Sequence, residues 1–158
     1  MLEVHSETVR GSECGVAVEN WANSWKTSLK NVARQFHTEA MKSGGQFAAL
    51  VLDPDGRMLD VAQMVQHKGK NSISHLLILL GGPGGISQAD SDDLQTVLKE
   101  FVDIPIFSCF LPGGRMHSYC ALQSLFALHD QAILLPFLSF LAKETLDSGK
   151  HTQKMSWR

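Results

Sequence analysis

The stretch "ISHLLILL", residues 73–80, constrains this chain more than any other. A strand with apolar residues on both faces needs helices on both sides, the environment of a central strand in a parallel sheet. The run ends at Gly81, where "GGPGGIS" sets four glycines around Pro83 before Ser87. Ser87, followed three residues on by Asp90 and then by Asp92 and Asp93, marks the start of a helix, "SQADSDDLQTVLKEF".

The rest of the chain fits that frame. "LEVHSETV" alternates like a short strand, and beyond Cys14 the residues Trp21, Trp25, Leu29, Val32 and Phe36 recur at helical spacing until Gly44-Gly45. "QFAALVLD" predicts a buried strand that breaks at the turn "PDGR", and "MLDVAQMVQHK" returns to a helical pattern. "IPIFSCF" predicts another strand, "LPGGR" another glycine turn, and a final helical region starts near Met116. Its stretch "HSYCALQSLFALHDQAILLPFLSFLA" is interrupted by Gln123, His129, Asp130 and Pro136, so a buried helix pair is expected and not a membrane span. The alternation of strand and helix predicts an α/β fold with a mostly parallel sheet flanked by helices.

Composition limits the function. The 158 residues suffice for one core; 44% are hydrophobic, 19% are charged, and the net charge is −2, too little for bulk electrostatic capture of nucleic acid. Local basic groups remain, notably Lys26, Lys30 and Arg34 at four-residue steps, with a solvated helix face as the plainer reading. Three cysteines without a CxxC pair suit a reducing compartment, and the polar start does not resemble a secretion signal, so an intracellular location, cytoplasmic or organellar, is expected.

Three successive strands thus end in "LDPDG", "LGGPGG" and "FLPGG". In parallel sheets ligands bind beyond the carboxyl ends of the strands. The middle turn is no P-loop, because Ile86-Ser87 stands where Lys-Ser/Thr is required, and counting GxGxxG from Gly82 meets Ser87 in place of the third glycine.

In order and spacing, "LVLDPDGRMLDVAQMV", "SHLLILLGGPGGIS" and "IPIFSCFLPGGRMHSYCALQSL" resemble the SPOUT class of methyltransferases, most closely the RlmH family that methylates N3 of pseudouridine in ribosomal RNA. The resemblance covers Phe47 to about Leu128 and implies a C-terminal deep trefoil knot within a single domain spanning residues 1–142, followed by a polar tail at 143–158. It also implies that the family's first strand and helix are missing or replaced. S-adenosylmethionine would lie bent in the knot, with Leu52 beside the adenine, Gly81, Gly82 and Gly84 along the ribose and methionine, and Phe107, Ser108 and Leu111 giving backbone contacts. Family members are homodimers acting on RNA, and Leu122, Leu125, Phe126, Ile133 and Leu134 could supply the interface or simply the core of an ordinary helix.

The third loop departs from the family's LPH: Gly113 follows the proline unless four residues are inserted before His117, and the family's later arginine and Glu…TyrArg signature are not retained. By position His117 is the candidate base for an N–H proton and Arg115 a candidate phosphate contact. Two functional classes follow, an S-adenosylmethionine-dependent RNA methyltransferase acting on a ribosomal subunit or other RNA, or a catalytically degenerate dimeric binding module. No metal site is expected: His117, Cys120, Cys109 and His129 lack paired zinc-ligand spacing. Nor does Ser118, with His129 and Asp130, sit in a GxSxG elbow.

Overall fold

The "FAALV" stretch becomes the middle of strand β1 (Gln46–Met58), and Phe47 to Val51 are all buried. Alternation sends Ala48 and Leu50 to one face and Phe47, Ala49 and Val51 to the other, so the strand needs cover on both. The computed structural model describes residues 18–67, 69–81, 92, 96–101, 104–114 and 116–147, with helix α1 (Val18–Ser43) before β1. Helix α2 (Val61–Gln66), strand β2 (Ile73–Leu79), strand β3 (Ile106–Phe110), helix α3 (Ser118–Asp130) and helix α4 (Leu134–Asp147) follow. The three strands form a parallel sheet in the order β2-β1-β3.

Helices cover both faces. On one, Leu50, Phe107, Cys109 and Leu111 pack with Leu125 of α3 and with Leu134, Phe137, Leu138 and Leu141 of α4. On the other, Ala49, Val51 and Leu77 pack with Ala33 and Ala40 of α1 and with Val97 and Leu98. The expected α/β architecture with a parallel sheet is therefore present.

Helix α1 ends where Gly44 enforces it. Gly44 has φ +68°, its N–H donates to Met41 O, and the Gly45 N–H donates to Ala40 O at 3.0 Å. These paired bonds satisfy carbonyls that the last helical turn leaves open. Across the α1–β2 junction, His75 Nε2 lies 3.3 Å from Glu39 Oε2 and His75 Nδ1 lies 2.9 Å from Ser74 Oγ. At the same end of the sheet, Ser139 of α4 accepts from the Ser72 N–H and joins α4 to the start of β2.

Several expectations need correction. "ISHLLILL" is not the central strand: among the described residues β2 pairs only with β1, and β1 is central. Uninterrupted apolarity records burial of two faces and is silent on how many neighbours a strand has. "PDGR" does not end β1, which resumes pairing with β3 at Arg57 and Met58. The helix read from "MLDVAQMVQHK" is only six residues long and starts after Asp60, whose carboxylate accepts from the Ala62 N–H at 2.9 Å. The last helical region is a helix pair, as expected; it starts at Ser118 and bends by 88° near Ala132, which has φ +57°. Helix α4 runs to Asp147. Among the described residues no single helix is long and apolar enough to cross a membrane. The N-terminal strand, the tail after Asp147 and most of "SQADSDDLQTVLKEF" lie outside the described residues.

The return of β1 depends on Gly56. A Cβ there would lie 2.5 Å from the carbonyl carbon and oxygen of Ser108 and 2.7 Å from the Cys109 nitrogen, all backbone atoms. Gly56→Ala is expected to destabilise the fold by roughly 1–3 kcal/mol. Gly69→Ala, where a Cβ meets nothing within 4 Å, should change stability by no more than about 0.5 kcal/mol. Urea unfolding of both variants checks this; equal stabilities would disprove the steric account.

Candidate functional site

Because the strands are parallel, their carboxyl ends share one end of the sheet. The chain leaves β1 after Leu52 and returns at Arg57, and both residues stand opposite Cys109 of β3. Between them Asp53 Oδ1 accepts from the Asp55 N–H at 3.0 Å, which tightens the excursion. At the return, the Leu59 N–H donates to Phe110 O at 2.8 Å.

The end of β2 passes through Leu80 to Gly81, both partly buried. The end of β3 passes through buried Leu111 into an exposed turn, Pro112-Gly113-Gly114, where the glycines have φ +108° and +82°. Side chains seldom adopt such angles. Among the described residues, a Cβ on Gly114 would meet nothing within 4 Å, and one on Gly113 only Met116 Cε at 3.9 Å, so none of them crowds the backbone of this turn.

Of the expected binding residues, Leu52, Phe107 and Leu111 belong to the apolar layer under α3 and α4. Ser108 alternates to the opposite face; it is 3% exposed, and its hydroxyl has no hydrogen-bond partner among the described residues. Phe107 and Ser108 lie inside β3, paired with Leu50 and Val51, and so are sheet residues and not loop residues. Gly82, Gly84 and Arg115 lie outside the described residues. His117 is exposed at the start of α3 and its side chain makes no capping hydrogen bond.

Other expectations divide. Leu125 and Leu134 are buried in the core and unavailable to a partner surface, whereas Leu122, Phe126 and Ile133 are only partly buried. In the basic stripe, Lys30 is held by Glu100 at 2.7 Å while Arg34 is exposed.

One residue at the site escaped sequence reading. In sequence Arg57 only closes the turn "PDGR", yet its guanidinium carbon lies 5.9 Å from the centroid of the Phe137 ring. Phe137 also stands 5.8 Å from the ring of His67, which stacks on Phe140 at 3.9 Å. Beside Arg57, burial pushes the Cys109 thiol up to about 12, and the nearby guanidinium charge opposes that shift.

No family model matches the chain, and no curated protein and no solved structure matches it either.

The two described cysteines should differ in reactivity. Cys109 is buried and protonated at neutral pH, whereas Cys120 is exposed. Iodoacetamide at pH 8 is expected to label Cys120 and spare Cys109 until the protein is unfolded, as read by peptide mass spectrometry. The raised Cys109 pKa also makes the folded state hold a proton that the unfolded state releases. Its contribution is complete below about pH 9 and is lost as pH rises towards about 12. Cys109→Ser should flatten the fall in urea-unfolding stability over that window; an unchanged slope would refute the assignment.

Proposed function

We propose that this chain binds S-adenosylmethionine at the joined carboxyl ends of β1, β2 and β3 and directs its methyl group to RNA, with ribosomal RNA the class that the sequence resemblance favours. The main support is that three parallel strands end side by side and that the turn after β3 carries two exposed glycines at positive φ. The residues suit the cofactor's parts. Leu52 offers an apolar wall for the adenine, while Gly81 and the open backbone at Gly113 and Gly114 allow close approach to polar groups of the ribose and methionine.

When bound, the cofactor supplies an activated methyl group. The chain's own task is to hold the accepting base nitrogen in line with that methyl and to exclude competing geometries. His117, exposed after the glycine turn, stands where it could accept the N–H proton of a base. Arg115 is assigned from sequence to an RNA phosphate. The working unit in this reading is a homodimer, with the partly buried Leu122 and Phe126 of α3 in the interface.

One observation favours the non-catalytic alternative, a dimeric binding module. No hydrogen bond to the His117 side chain is present among the described residues, and a general base is ordinarily held by an orienting partner.

Titration calorimetry should give saturable binding of S-adenosylmethionine and S-adenosylhomocysteine; absence of both from well-folded protein would overturn the proposal. With radiolabelled cofactor, ribosomal subunits should acquire label, and His117→Ala should lower the rate by about 100-fold or more without weakening cofactor binding. Binding without any transfer to ribosomes or total RNA would select the binding module. Light scattering should report a dimer, which Phe126→Asp converts to monomer.

A further inference from the structure

The geometry points to Arg57 as the anion-binding residue of this site, the group that pairs with the carboxylate of the cofactor's methionine moiety; this rests on the S-adenosylmethionine reading above. Leu52 and Arg57 occupy equivalent register positions opposite Cys109 and therefore share one face of the sheet. The strand ends thus offer an apolar side chain and a cation next to each other, matching a ligand that joins an aromatic base to a carboxylate.

Arg57 is held without being neutralised. Its guanidinium rests over the ring of Phe137, which is fully buried in the first turn of α4. A cation–π contact at this distance uses no N–H of the guanidinium, so its donors stay able to bond a carboxylate in parallel. The neighbouring carboxylates of Asp53 and Asp60 each accept a local backbone N–H, from Asp55 and Ala62. Among the described residues, no carboxylate forms an ion pair with Arg57.

A phosphate of RNA would offer similar oxyanion chemistry. Arg57 is exposed, and its register opposite Cys109 sets it level with Leu52, the apolar residue assigned to the adenine; that pairing is what favours the small ligand.

Calorimetry with S-adenosylmethionine and its decarboxylated form, which lacks only the carboxylate, tests the assignment. Wild-type protein should bind S-adenosylmethionine more tightly. Arg57→Met should weaken that binding about tenfold or more and leave the decarboxylated ligand unaffected. Arg57→Lys, a point charge without the planar fork, should recover part of the loss. Thermal melting verifies that both variants fold.

Equal wild-type affinity for the two ligands, or equal weakening of both by Arg57→Met, would overturn the inference while leaving cofactor binding intact. So would loss of RNA retention in a filter assay with both cofactor affinities unchanged, because the anion would then be phosphate. Failure of wild-type protein to bind either ligand is a different result, which removes the cofactor reading itself.

Discussion

The burial of β1 on both faces is the constraint to which the other elements conform. Ala48 and Leu50 require the α3–α4 layer, Ala49 and Val51 require α1, and the strand's two edges are taken by β2 and β3. Small residues at Ala48 and Ala49 leave room for larger partners such as Phe107 and Phe36. Since a parallel pair must be joined by a crossover, the chain leaves the same end of the sheet after each strand. A common rim of turns follows from this burial pattern alone.

Much of this was legible from local chemistry. The arrest of α1 could be read from Gly44, the strand "FAALV" from its apolar continuity, and the turn after β3 from Pro112, Gly113 and Gly114, because each signal lies within a few residues of its effect. What sequence reading missed is set by distant partners. Pro54 and Gly56 look like the end of a strand; the need for a bare Cα at Gly56 is imposed by the Ser108 carbonyl, which is distant in the chain. Leu125 and Leu134 have the same chemistry whether they face a core or a partner, and only the closeness of α4 decides. Arg57 carries no motif, and its relation to Phe137 exists only once α4 has folded across the sheet.

The rim divides its work between order and openness. On the β1 side, side chains and backbone are tightly engaged, with Gly56 pressed against β3 and Leu59 bonded to Phe110. On the β3 side, no described residue crowds the exposed backbone of Gly113 and Gly114. Such an arrangement suits recognition of a ligand whose shape is read on one side and whose polar groups are met by main chain on the other.

The excursion from Asp53 to Gly56 begins and ends opposite the same residue, Cys109, and is cinched inside by the Asp53 carboxylate. A loop returning to its point of departure over so few residues has surrendered most of its configurational freedom during folding. A molecule settling against it therefore meets a surface already shaped, and association loses little entropy to ordering there. The rigidity also restricts adaptation: ligands larger or differently angled than the rim allows would have to be accommodated by the glycine turn at the opposite side.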